Sequence, residues 1–285
     1  MKNYFLGANS ADGFYSLYDG FCPTEDGNFL WILKGGPGCG KSTFMKKIAA
    51  AAEDAGLAVE YVWCSGDPDS LDGVFIPAKK VGYMDGTAPH AMEPRFPAAD
   101  SICLDLGQFY DVGAIRPLLP QIRKLYGQYK PCYSKAYQLL SAASERIVPA
   151  PWQGQTPACF CRAITCEGLI DLCESDPIPV TRRELDDLAQ SAVSRGKRVL
   201  DLRSPLHPLR SEGIFLEEDG LCYRCSEEDL SFPAVFEVLR EAKRLHDALE
   251  SVYHPHVDFG GVENFAKKHI KMLNLDCKIG KDVVE

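Results

Sequence analysis

Residues 35–43 read Gly35-Gly36-Pro37-Gly38-Cys39-Gly40-Lys41-Ser42-Thr43, a complete G-x-x-x-x-G-K-[ST] pattern. The flanks fit the same reading. Residues 29–33 (FLWIL) form a short apolar run that predicts a buried strand. Residues 44–52 place Met45, Ile48 and Ala52 at helical spacing. Glycines let a backbone wrap closely around phosphate oxygens. A helix start then turns several N–H groups and its positive dipole end toward the anion. Strand, loop and helix together predict a nucleoside triphosphate site, for ATP or GTP. All of residues 35–43 cradle the phosphates, Lys41 reaches the β- and γ-phosphates as a catalytic cation, and Ser42 offers its hydroxyl to Mg²⁺.

The segments downstream supply candidates for the rest of such a site. Residues 58–64 (AVEYVWC) read as a second strand, followed by a turn-rich stretch containing Asp67, Asp69 and Asp72. Residues 74–76 read as another short strand. Residues 80–87 (KVGYMDGT) look like the apolar strand ending in Asp that completes many phosphate-loop sites, so Asp85 is the expected second Mg²⁺ ligand. Gly86 follows it, where many motor-type ATPases place the glutamate that activates water. Asp67 and Asp69 are the alternative bases, and turn-capping is their structural alternative. His90 and Arg95 stand as possible phosphate contacts or as ordinary packing and surface residues. Cys39, inside the loop, is either an idle position or a thiol beside bound phosphate.

Bulk properties narrow the class. The chain has 285 residues, 46% hydrophobic and 25% charged, with a net charge of −9, as expected of a globular protein. That charge argues against indiscriminate nucleic-acid binding, which needs surplus Lys and Arg. No apolar run reaches the ~20 residues of a membrane span. The expected location is the cytoplasm, with the 12 cysteines reduced. Cys159-x-Cys161 and Cys222-x-x-Cys225 are spaced like zinc half-sites, but residues 221–225 read better as a strand. Residues 112–147 read as helical, broken near Pro131. The Pro-rich stretch 148–157 reads as a linker. It separates a nucleotide-binding domain (1–150) from a second domain (157–285).

The second domain carries a faint copy of the first. Phe5, Ala8, Gly13 and Leu17 recur as Phe160, Ala163, Gly168 and Leu172, at an offset of 155 residues. From Gly56/Gly196 to Asp85/Cys225 the offset is 140, with Val59/Val199, Pro68/Pro208, Gly73/Gly213, Phe75/Phe215 and Tyr83/Tyr223 identical. The shared positions are glycine, proline, aromatic and apolar, the types that serve backbone shape and packing. The chemistry-bearing residues are lost: Lys41 aligns with Thr181, Asp67 with His207, Asp69 with Leu209 and Asp85 with Cys225. The expected fold class is therefore α/β: a mostly parallel phosphate-loop-type sheet with flanking helices, plus a smaller degenerate α/β repeat that binds no nucleotide.

The stretches FLGANSADGFYSLYD, LKGGPGCGKSTFMKKI, CSGDPDSLDGVFIP and VGYMDGTAPH, with LHDALESVYHPHVDFGGVENFAKKHI near the end, resemble an uncharacterised bacterial family of ATP-binding proteins built from two phosphate-loop halves. The resemblance implies ATP binding, and it implies a phosphate loop in each half. This chain departs from that pattern, because its second half lacks G-K-[ST]. The function expected is Mg²⁺-dependent binding and hydrolysis of ATP or GTP at one site. The alternatives are a phosphotransferase using Asp67 or Asp69 as base, or a nucleotide-binding switch with negligible turnover.

Overall fold

A computed structural model describes residues 1–144, 156–225 and 230–275. The chain is α/β with mixed sheets. It divides into two compact units, each assembled from separated stretches. One comprises Met1–Phe21, Val62–Asp69 and Gly127–Leu245; the other comprises Cys22–Tyr61, Ser70–Tyr126 and His246–Glu285. The stretch read as a linker, and the boundary drawn at residue 150, fall almost entirely outside the described residues.

In the second unit the strands Leu71–Ile76, Val81–Asp85, Phe29–Lys34 and Ser101–Asp105 lie side by side in that order. Phe29–Lys34 runs parallel to both of its neighbours, in a register that pairs Leu33 with Asp85 and with Leu104. Val81–Asp85 and Leu71–Ile76 are antiparallel. Leu30, Ile32 and Leu33 are buried, as expected of a central strand covered on both faces. The helix Lys41–Asp54 buries Phe44, Met45, Ile48, Ala49 and Ala52, one apolar stripe at helical spacing. The large side chains of such a stripe contribute roughly 1.5–3 kcal/mol each. The helix Phe259–Met272 adds His269, whose ring meets Trp31 at 4.8 Å and Phe44 at 5.5 Å between centroids. His269 Nδ1 lies 3.1 Å from the Tyr83 hydroxyl, so neither buried polar group is left unsatisfied.

The first unit contains a sheet in the order Ile178–Val180, Leu221–Cys225, Ser211–Leu216, Val199–Arg203, Ala158–Cys159. The helix Arg182–Ser194 packs Leu185, Ala189 and Ala192 against Val199, Ile214 and Leu216 of that sheet. Two hairpins, Gly7–Ser10 with Gly13–Ser16 and Arg162–Thr165 with Gly168–Asp171, form separate two-stranded sheets. Ala136 and Leu140 pack with Val235 and Leu239 in a further buried cluster. The helix holding Ala136 runs unbroken from Leu119 to Ala143, so the break expected near Pro131 does not occur. A proline removes one i→i−4 bond, whereas the turns on either side keep theirs and the packed face continues across it.

The repeated sequence blocks adopt repeated structures. Gly73 pairs with Met84 and Gly213 with Arg224; Ile76 pairs with Val81 and Leu216 with Leu221. Each antiparallel pair is flanked by one strand parallel to its last member, Phe29–Lys34 in one case and Ile178–Val180 in the other. The hairpins match in detail. Ser10 Oγ donates to Gly13 O at 2.7 Å and accepts from Asp12 N; Thr165 Oγ1 donates to Gly168 O at 2.9 Å and accepts from Glu167 N. Gly13 and Gly168 hold φ of 107° and 118°, a conformation that disfavours any side chain.

Candidate phosphate-binding site

Strand Phe29–Lys34 ends where residues 35–40 begin, and the helix starts at Lys41. Gly38 and Gly40 take φ of 68° and 91°, left-handed values at which a Cβ would be strained. A Cβ on Gly36 would also stand 2.9 Å from the Tyr110 hydroxyl. That hydroxyl donates to Pro37 O at 2.8 Å and pins the loop crest. The helix N-cap is Gly40, with no side-chain cap and no acidic residue in the first turn. Its first N–H groups are therefore not capped by the helix's own side chains, and the dipole end keeps its positive charge.

Lys41 Nζ donates to Gly35 O at 2.9 Å and Gly36 O at 3.1 Å, and lies 3.5 Å from Asp85 Oδ2. Burial disfavours its charge, but Asp85, Cys39 and Glu250 together outweigh it and the ammonium pKa ends above its ordinary value. Asp85 closes its strand, level with Leu33 just before the loop. Its Oδ1 accepts from Thr87 N at 2.9 Å and Thr87 Oγ1 at 2.6 Å, which fixes the carboxylate plane. Ser42 Oγ accepts the Leu71 N–H at 3.0 Å, which leaves its own proton and a second lone pair for other partners. Ser42 and Asp85 are both oxygen donors of the kind Mg²⁺ takes, so the donor set fits that ion.

Two neighbours enter from other parts of the unit. His90 Nδ1 lies 2.8 Å from Asp85 O, and its Nε2 lies 3.5 Å from Asp72 Oδ1. Burial opposes the imidazolium, yet Asp72 and Asp85 together lift its pKa to about 9. His90 is thus a buried cation behind Asp85. Glu250, on the helix Pro233–Tyr253, accepts the Gly38 N–H through Oε1 at 3.0 Å. Neither Tyr110 nor Glu250 was among the residues singled out from sequence.

The loop residues 35–43 with Lys41, Ser42 and Asp85 therefore lie together in the second unit. Asp67 and Asp69 belong to the first, where Asp67 Oδ1 lies 3.5 Å from Lys243 Nζ. Arg95 is exposed and lies 3.7 Å from Glu25. Cys39 is buried, and desolvation, only partly offset by Lys41, raises its thiol pKa, so it is not a reactive thiolate.

The equivalent helix of the first unit starts differently. Thr181 is its N-cap, with Oγ1 accepting from Glu184 N while the Glu184 carboxylate accepts from Thr181 N: a complete capping box. The donors that face outward at Gly40 are consumed there by the chain itself.

No protein-family model, curated protein or solved structure matches this chain. Among the described residues, no helix is long and apolar enough to cross a membrane.

Proposed function

We propose that this chain binds one nucleoside triphosphate with Mg²⁺, ATP in preference to GTP, on residues 35–43, and hydrolyses it. The observation that carries the reading is the uncapped helix start at Gly40, with a charged Lys41 held beside Asp85. An uncapped N-terminus next to a buried ammonium is an anion site by construction. Ser42 and Asp85 would hold Mg²⁺, which when bound neutralises charge on the β- and γ-phosphates. Lys41 would bind the phosphates, releasing the loop carbonyls it now satisfies, and Thr87 would keep Asp85 oriented. The second α/β layer is, on this reading, a degenerate copy whose helix start has been closed by Thr181 and Glu184.

The competing readings are phosphoryl transfer to an acceptor hydroxyl, with Asp67 or Asp69 as base, and a switch with negligible turnover. Calorimetry with ATP, GTP and tripolyphosphate, with and without Mg²⁺, tests binding and stoichiometry; one site per chain is expected. Phosphate release separates hydrolysis from the switch. A phosphorylated product found with a hydroxyl acceptor in place of free phosphate would identify a transferase.

A further inference from the structure

A cavity of about 420 Å³ opens between residues 108–111 and residues 255–258, a size within the roughly 300–1,000 Å³ of small-molecule sites. Both walls belong to the unit that carries residues 35–43. Backbone pairing joins them: Asp111 N donates to His256 O at 2.8 Å, and Asp258 N donates to Phe109 O at 2.9 Å. Each wall also reaches the phosphate loop. The Tyr110 hydroxyl donates to Pro37 O at 2.8 Å. Phe259 follows Asp258 directly, and a Cβ on Gly40 would stand 3.7 Å from its ring. The cavity thus lies one aromatic side chain away from the residues proposed to hold phosphate.

Topology gives the cavity a direction. Strand Phe29–Lys34 lies between Val81–Asp85 and Ser101–Asp105 and runs parallel to both. All three therefore end on one edge of the sheet, the edge where open α/β sheets bind ligands. Asp85 ends one neighbour. The other ends at Asp105, level with Lys34, and leads on to residues 108–111. A Mg²⁺ ion on Asp85 bridges β- and γ-phosphates, so the nucleoside end of the ligand would point away from Asp85, toward the cavity. The charge there has the wrong sign for phosphate. Asp111 and Asp258 are exposed carboxylates. Asp111 Oδ1 accepts from Ala114 N at 3.0 Å and Asp258 Oδ1 from Gly261 N at 2.9 Å, and each keeps a second oxygen. Gln108 Nε2 donates to Asp105 O at 2.5 Å, so its carbonyl oxygen also remains an acceptor. A wall of acceptors suits an uncharged group that carries hydroxyl donors.

We propose that this cavity holds the nucleoside end of the bound triphosphate, with the ribose 2′- and 3′-hydroxyls donating to the carboxylates of Asp111 and Asp258. The proposal rests on residues 35–43 holding the phosphates. A carboxylate accepts strong hydrogen bonds from hydroxyls and repels phosphate, so the same two charges decide which end of the nucleotide enters. Tyr110 couples the two parts of the site. Its hydroxyl holds the loop crest at Pro37, and its backbone pairs with Val257 in the opposite wall.

The test is calorimetric titration of the full chain, with Mg²⁺, by ATP, 2′,3′-dideoxy-ATP and tripolyphosphate. ATP should bind at least roughly tenfold more tightly than tripolyphosphate. The dideoxy analogue should lose roughly tenfold against ATP, the scale of hydrogen bonds to a charged group. Asp111→Asn/Asp258→Asn should weaken ATP by about tenfold and leave tripolyphosphate binding no weaker. Asparagine caps helices as well as aspartate does, so both helix starts are retained in that variant. Equal affinity for ATP and tripolyphosphate, or for ATP and the dideoxy analogue, would overturn the proposal while leaving residues 35–43 as a phosphate site. Binding of neither ATP nor tripolyphosphate would instead remove the phosphate site, and this proposal with it. The comparison of three ligands needs no variant, so a misfolded mutant does not decide the matter.

Discussion

The Glu250 carboxylate accepts the Gly38 backbone N–H at 3.0 Å. An anion therefore already sits on a loop amide that the proposed phosphate chain needs, and its charge also acts on Lys41. A triphosphate must displace it. Glu250→Gln keeps the shape and removes the charge, so nucleotide affinity should rise by roughly 1–2 kcal/mol, about five- to thirtyfold, given the strength of charge-assisted hydrogen bonds. Calorimetric titration with MgATP measures this. A weaker complex would mean that Glu250 works on the nucleotide's side.

Lys41→Ala removes the ammonium that the loop carbonyls of Gly35 and Gly36 hold. Triphosphate binding should weaken by roughly 2–4 kcal/mol, the scale of a lost charge-assisted contact. Far-UV circular dichroism should stay that of the parent. Unchanged affinity would remove the loop from consideration as a phosphate site.

Asp85→Asn should lower turnover more than it lowers affinity for metal-free nucleotide, and should flatten the Mg²⁺ dependence of both. The carboxylate is already oriented by Thr87, so an isosteric amide retains much of the local geometry while losing a hard anionic ligand. A Mg²⁺ titration of phosphate release on parent and variant decides it.

His269 sets a pH dependence that is independent of any ligand. Burial among Trp31, Phe44, Tyr83 and Phe265 lowers its pKa to about 4. Between the ordinary 6.5 and that value the unfolded chain binds a proton that the folded chain refuses, so stability falls as pH drops through this window. At about 1.4 kcal/mol per pKa unit the loss is at most roughly 3 kcal/mol. Urea midpoints from pH 7 to pH 4 should decline more steeply for the parent than for Tyr83→Phe/His269→Phe, which removes the imidazole and the hydroxyl facing it together. Parallel slopes would rule out His269 as the source.

What could be read from sequence was local or repeated. The strand before residue 35, the glycines at positive φ and the helix after residue 40 are encoded within a single short stretch. The two-copy reading is mirrored in the ladders, because a gapless offset from residue 56 to residue 85 preserves register. Contacts between distant segments left no such trace: Glu250 meets Gly38 across 212 residues, and no periodicity or spacing points from one to the other. Tyr110 and Pro37 are a similar case. The T-x-x-E of Thr181 and Glu184 is a local signature of a capped helix, carried within four residues. Pro131 misled in the opposite sense, because a breaker's local cost was outweighed by turns on both sides of it.

Phe5 and Phe160 occupy matching positions in the two sequence copies, and they bond to each other. Phe5 N donates to Phe160 O at 2.8 Å, and Phe160 N donates to Phe5 O at 2.9 Å. Such reciprocity is the mark of an isologous dimer contact, here carried within one polypeptide. In a dimer of identical chains, any substitution appears twice and both sites change together. Once both partners share one chain, each can vary alone. Covalent fusion therefore lets one helix start be closed by its own capping box, at Thr181, while the other, at Gly40, carries no side-chain cap.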